Sequence, residues 1–243
     1  MSTQSTQYDK IGSGYNSIKQ LPSDLLDTAT LLAHLGNIQG MDVLDLACGT
    51  GFMSGKAIEH GARRVVGIDI SSGMIQAARR QFESDSRFEF YTADCSKPIN
   101  MGKFDVVFAC WLLNYASSVE EQLAMWQNIL DHLKPGGRCI GVVPNFDMLE
   151  APFPSGYQWG IEAKVLKHVR GGVKLQFTAD ICPHFTFECY MLQRGVYEYC
   201  SRKVGLTDIE WLDPIDPKDP RINFKALSRN MNSRCFQVWC TDE

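Results

Sequence analysis

The sequence predicts a doubly wound α/β fold built on a mostly parallel sheet, and three observations carry that expectation. Val43, Leu44, Leu46 and Ala47 form a near-continuous apolar run, the pattern of a strand buried on both faces. The run ends in a turn at Gly49 and Gly51, and a helical segment follows to His60. Arg64-Val65-Val66-Gly67-Ile68-Asp69 is a second buried strand, ending in an acid twenty positions beyond Gly49. Strand-like and helix-like segments then alternate to residue 144, as in chained βαβ units.

In chain order, the residues before about 21 are polar and glycine-containing and read as an N-terminal arm carrying Tyr8 and Tyr15. Residues 22–35 read as a helix with Leu25, Leu26, Ala29, Leu32 and Ala33 on one stripe, stopped by Gly36. Asp45 interrupts the first strand, and a carboxylate there must be hydrogen-bonded or paired. Gly49 and Gly51 allow a tight turn and close approach to a ligand. Ser71 and Ser72 cap a helix over 73–83 with Met74, Ile75 and Ala78 inward. A third strand over 87–91 leads to Ala93-Asp94-Cys95. A fourth, over 104–110, runs into Trp111-Leu112-Leu113-Asn114-Tyr115, whose large side chains should border the crevice at the carboxyl ends of the strands. A helix over 119–133, a Lys-Pro-Gly-Gly turn and a fifth strand over 138–144 complete this part.

From Asn145 the character changes. Pro152, Pro154, Gly156, Tyr157 and Trp159 mark an irregular, aromatic-rich segment. A strand is expected over 173–177 with a hairpin partner over 184–189. A helix over 192–204 ends at Gly205, a strand over 208–212 follows, and a proline-rich connector over 214–220 precedes a last strand over 234–240.

The 243 residues suit one domain, with an arm and helix over 1–40, a core over 41–144, a lid over 145–190 and the end of the sheet over 191–243. A net charge of −4, pI near 5.8 and no block of like charge argue against a nucleic-acid partner. No apolar run is long enough to span a membrane. The start lacks a charged and apolar leader, so a cytoplasmic protein is expected. Nine cysteines, none spaced as Cys-x-x-Cys, read as free thiols, several inside apolar strands; no metal site is expected.

Asp45 is poor company for a pyrophosphate and suits a ligand with an ammonium group. Here the sequence resembles the class I S-adenosylmethionine-dependent methyltransferases. The resemblance rests on Asp45-Leu46-Ala47-Cys48-Gly49-Thr50-Gly51, Gly67-Ile68-Asp69-Ile70-Ser71 with Met74, Ala93-Asp94, Phe104-Asp105-Val106-Val107-Phe108 and Leu133-Lys134-Pro135-Gly136-Gly137. It implies a seven-stranded sheet of the Rossmann-like methyltransferase type, with the last strand antiparallel between the fifth and sixth, and a lid insertion. It implies S-adenosyl-L-methionine as cofactor and S-adenosyl-L-homocysteine as product. Asp45, Ala47, Gly49 and Gly51 would form the turn beneath it, and Asp69, Ile70 and Met74 would meet its ribose side. Ala93, Asp94 and Cys95 would reach the adenine, Asp94 accepting from its amino group. Cys110, Trp111 and Tyr115 would wall the crevice, and Tyr15 would close over it from the arm.

A small, partly apolar acceptor, aromatic or heterocyclic, is expected from the aromatic lid, which carries Phe153, Tyr157, Trp159, Phe177, Phe185, Phe187 and Tyr190 but no basic stripe. That pattern resembles small-molecule methyltransferases of secondary metabolism. Oligomeric state is not legible. If a general base assists, the candidates are His184 first, then Asp147 and Tyr157. Two alternatives stay open: a non-catalytic protein that binds the same cofactor, and a nicotinamide-dependent oxidoreductase.

Overall fold

The computed structural model describes residues 6–9, 11–150, 156–215 and 233–241. The expectations placed on Pro152, Phe153, Pro154 and the 216–220 part of the connector lie outside the described residues. Among the described residues, ten strands form two sheets. The larger contains β1 (Asp42–Leu46), β2 (Arg64–Asp69), β3 (Phe88–Thr92), β4 (Phe104–Cys110), β5 (Leu133–Pro144), β9 (Glu210–Leu212) and β10 (Ser233–Trp239). Their order is β3-β2-β1-β4-β5-β10-β9. β1 pairs in parallel with β2 and β4, and β10 runs antiparallel between β5 and β9. This is the seven-stranded, mostly parallel arrangement expected.

The period-2 alternation of side chains sorts each central strand between two cores. Val106 and Phe108 face one, with Val43, Val65 and the helices α2 (Pro22–His34) and α3 (Phe52–Glu59). Val107 and Ala109 face the other, with Leu44, Leu46 and the helices α5 (Val119–His132) and α6 (Arg194–Val204). All five residues of β1 are buried, which explains why its side chains are apolar but for the partnered Asp42 and Asp45. The helix α4 (Ser72–Gln81) starts where Ser71 accepts a hydrogen bond from the Met74 amide. α6 ends on Gly205 at φ +100°, a left-handed cap that suits glycine. The Lys-Pro-Gly-Gly segment opens β5; the ladder to β4 breaks there and resumes at Arg138.

The lid differs from expectation. It is a three-stranded antiparallel sheet of β6 (Ile161–Val169), β7 (Gly172–Ala179) and β8 (Phe185–Leu192). β6 gave no strand pattern because it is an edge: Lys164, Leu166, Lys167 and His168 are exposed, and its register to β7 shifts between Val165 and Lys167. The lid has its own core, in which Phe177, Leu175, Met191 and Cys189 pack with Ile18 of the arm.

The arm is folded down. A short helix, α1 (Thr6–Asp9), and a 3-10 helix over Gly12–Gln20 lie against both core and lid. The Gln7 side chain accepts from the Glu188 amide of β8 at 2.6 Å and donates to its carbonyl at 3.3 Å. Ser71 donates to Asp9 at 2.6 Å, and Thr50 donates to Asn16.

Candidate functional site

β1 leads to β2 on one side and borders β4 on the other, so a crevice opens at the carboxyl ends of β1 and β4. The backbone there is unusual. Ala47 and Trp111, just past those two ends, both sit at φ +60°, a region that costs a non-glycine residue about 1–2 kcal/mol. The Trp111 amide is held by the Val142 carbonyl at 2.8 Å. Gly49 follows at φ +55°, and a Cβ built on it would meet only the Tyr15 ring, at 3.9 Å. The space beside Gly49 is therefore open. Gly51 differs: a Cβ there would lie 2.9 Å from the Phe82 ring and 3.1 Å from Phe90, so its small size lets helix and strand pack.

Asp69 ties the crevice together. Its Oδ2 accepts from the Gly49 amide at 2.9 Å and its Oδ1 from the Ser71 amide at 2.8 Å. Asp45 is buried and accepts from Ser54 Oγ at 2.6 Å. Burial, with the Asp69 charge adding, pushes the Asp45 carboxyl up to about 7. Burial also raises Asp69, against the Ser71 and Gly49 amides that favour its charge. Asp45 and Asp69 make this wall of the cleft acidic.

Nine of the residues expected at the cofactor line this cleft of about 600 Å³: Tyr15, Asp45, Ala47, Gly49, Asp69, Met74, Cys110, Trp111 and Tyr115. Gly51, Ile70, Ala93, Asp94 and Cys95 are not part of the lining. Ile70 is 37% exposed beside Asp69. Ala93 is joined to the Asp69 carbonyl by its amide at 3.0 Å. Asp94 Oδ1 accepts from the Ser96 amide and hydroxyl at 2.9 and 2.7 Å, so it shapes the turn after β3. The Cys95 thiol is buried, which pushes it up to about 12.

Tyr8, Lys19, Cys48, Thr50, Phe52 and Met53 complete the lining. Phe52 and Met53 open the helix after the glycine turn, and that position was their sequence signal. Lys19 had none, because only the docking of the arm brings it in. Its ammonium meets Asp24 at 2.8 Å and stands 5.3 Å from the Tyr15 ring centroid. Burial works against that charge, but Asp24 and then Tyr15 outweigh it, and the net shift is upward. Tyr8 and Tyr115 share a hydroxyl–hydroxyl hydrogen bond, and burial raises both well above the ordinary phenol value.

The three base candidates do not reach the cleft. His184 is exposed, stacks on Tyr157 with centroids 5.7 Å apart and lies 3.7 Å from Asp180. Tyr157 is 40% exposed. Asp147 is exposed and paired with Arg234. The physical reason is that His184 lies in the turn between β7 and β8 and faces outward, while its neighbour Phe185 turns inward onto Tyr8 and Tyr15. Among the described residues, no group of three or more His, Cys, Asp or Glu side chains could hold a metal ion.

A second, narrower cavity adjoins the cleft and shares Tyr15, Trp111 and Tyr115 with it. Residues 43–137 match the family model described as a methyltransferase domain. Those residues are a methyltransferase domain by that match, and the motifs they carry resemble the class I S-adenosylmethionine-dependent enzymes. The cofactor of that family fits the site: Gly49 presents open backbone, Asp69 presents a carboxylate at the end of β2, and the acidic, aromatic-lined wall favours a cation.

The chain is 33% identical over 140 residues to a demethylmenaquinone methyltransferase of Clavibacter sepedonicus, covering 56% of each chain. It is 26% identical over 176 residues to an mRNA cap guanine-N(7) methyltransferase of Caenorhabditis briggsae, covering 67% of this chain and 42% of that one. The chain spans about half the length of the curated relatives it matches. A crystal structure of an S-adenosylmethionine-dependent methyltransferase from Mesorhizobium loti shares the fold, with TM-score 0.62, 19% identity and coverage of 91% of this chain and 99% of that one.

Proposed function

We propose that this protein transfers a methyl group from S-adenosylmethionine to a small aromatic or heterocyclic acceptor, by O- or N-methylation, in secondary metabolism and in the cytoplasm. The observation that carries the reading is the pair of adjoining cavities separated by Tyr15, Trp111 and Tyr115. One fits the cofactor, and the other, narrow as it stands and walled by Phe177, Phe187 and Ile161 of the lid, marks the side from which a small aromatic acceptor would approach. Six buried thiols support a reducing compartment.

The bound cofactor supplies the activated methyl group. The chain's residues bind and orient. Asp69 takes the ribose hydroxyls, Asp45 and the aromatic rings favour the cationic end, and Met74 and Trp111 form walls. Ala93, Asp94, Cys95 and Ile70 flank the adenine end beyond Asp69. Holding two reactants in line can contribute roughly 7–11 kcal/mol. Tyr8, Tyr15 and Tyr115 stay neutral phenols because burial raises them, so they orient and exclude water. His184, Tyr157 and Asp147 have no role in this proposal.

The test is incubation with S-adenosylmethionine labelled in its methyl group and three acceptor pools: small aromatic metabolites, capped mRNA and tRNA. Label in the small-molecule pool is expected. Label confined to either RNA overturns the acceptor class, and no transfer to any pool favours a non-catalytic binding protein.

A further inference from the structure

Three charged side chains line the cofactor cleft among the described residues: Asp45, Asp69 and Lys19. The acids come from the ends of β1 and β2, and the cation comes from the arm. The Lys19 side chain is 15% exposed. An ammonium so far from water is costly unless it is paired. Asp24 Oδ1 accepts from it at 2.8 Å. An ammonium has three N–H donors, so this bond leaves it the capacity to hold a second anion. Burial opposes the charge, but Asp24 and then Tyr15 outweigh it, and the ammonium persists at neutral pH.

Its place is set by two rings. The ammonium stands 5.3 Å from the Tyr15 ring centroid and 5.8 Å from that of Phe52, the residue that opens α3 after the glycine turn. Tyr15 is the neighbour within 4 Å of a Cβ built on Gly49. The cation is thus held beside open backbone. It also acts on Asp45: burial dominates that carboxyl, and Lys19 is among the groups that draw it back toward the ionised form.

An acid and a base sharing one lining suit a zwitterion. The amino acid end of the cofactor carries an ammonium and a carboxylate on one carbon. Asp45 suits the first, while the second, beside Asp45 and Asp69 alone, would meet only like charge. We propose that Lys19 is the counter-ion of the cofactor's carboxylate and makes the site specific for ligands that carry one. This deepens the proposed function and rests on the seating of the cofactor given there. Lys19 takes no part in making or breaking bonds.

The test is calorimetric titration of the full chain at neutral pH with two ligands: S-adenosylhomocysteine, and its decarboxylated analogue, which keeps the amine and lacks only the carboxylate. The unaltered chain is expected to bind S-adenosylhomocysteine about tenfold or more tightly than the analogue, as one charge-assisted hydrogen bond allows. In Lys19→Met that ratio should fall by about fivefold or more. A purely structural role, exerted through the ion pair with Asp24, would lower both affinities together and leave the ratio intact. Should Lys19→Met not fold, the double variant Lys19→Met, Asp24→Asn removes both charges of the pair, and the same fall in the ratio is expected of it. Equal binding of the two ligands by the unaltered chain overturns the proposal, as does an unchanged ratio in either folded variant. Failure of S-adenosylhomocysteine itself to bind overturns the seating of the cofactor together with this inference. Binding of S-adenosylhomocysteine with no preference for the carboxylate overturns this inference alone.

Discussion

The Gly49 amide donates to Asp69 Oδ2 at 2.9 Å, so the turn after β1 is built around the acid that ends β2. Asp69→Ala would strip partners from two amides, those of Gly49 and Ser71, at about 1–3 kcal/mol for each one left buried and unpaired. The expected outcome is a fall of tenfold or more in affinity for S-adenosylhomocysteine by calorimetry, with a lower melting temperature. Unchanged affinity would remove Asp69 from the site.

Asp45 makes stability depend on pH. Its carboxyl is raised from an ordinary value of 3.8 to about 7, chiefly by burial. The folded chain therefore holds this proton more tightly than the unfolded chain does. The stabilisation is complete below about pH 4 and is lost as pH rises through about 7. Asp45→Asn should flatten that slope in ligand-free unfolding curves between pH 4 and 7. A cation in the cleft favours the charged carboxylate, so S-adenosylmethionine should bind more tightly as pH climbs through 7.

Tyr8 and Tyr115 join the arm to the loop after β4. Tyr8→Phe removes that bond and leaves a buried phenol unpaired, at about 1–3 kcal/mol. Amide hydrogen exchange over residues 6–20 should speed up, and cofactor affinity should drop several-fold. Protection equal to that of the unaltered chain would show that the other ties, at Gln7, Asp9 and Asn16, suffice.

Gly51 and Gly40 separate steric from conformational cost. Both have positive φ, +83° and +75°, but a Cβ at Gly51 would sit 2.9 Å from Phe82 while one at Gly40 has nothing within 4 Å. Gly40→Ala should cost about 1–2 kcal/mol from the left-handed backbone alone. Gly51→Ala should cost more, by about 1–3 kcal/mol of overpacking. Denaturant midpoints measure the difference.

His184→Ala is expected to change stability by no more than about 0.5 kcal/mol and cofactor affinity not at all, because the ring is exposed on the lid surface. Loss of cofactor affinity would contradict the placement of the lid hairpin.

What could be read from the residues is what local pattern determines. The apolar run of β1, the Ser71 cap and the Gly205 stop each settle their element within a few positions. The position of β10 between β5 and β9 came through the motif resemblance, since no local feature of Arg234 or Cys235 encodes it. The acids at the ends of β1 and β2 were legible because βαβ geometry places strand ends together. Lys19, Asp24 and Asp27 were not, because the folded arm and α2 bring them to Trp111 across long loops. β6 escaped because an exposed edge strand has no apolar alternation. His184 looked like a base because it stands among aromatic residues in sequence; in the lid sheet it stacks on Tyr157 at the surface.

The central claim is that the crevice above β1 and β4 holds an adenosyl group with a cationic end. Crystallising the chain with S-adenosylhomocysteine tests it most directly. The account predicts the ribose hydroxyls within hydrogen-bonding distance of Asp69, with the amino acid portion extending past Gly49 toward Asp45. A ligand seated elsewhere, or a ribose out of reach of Asp69, would contradict it.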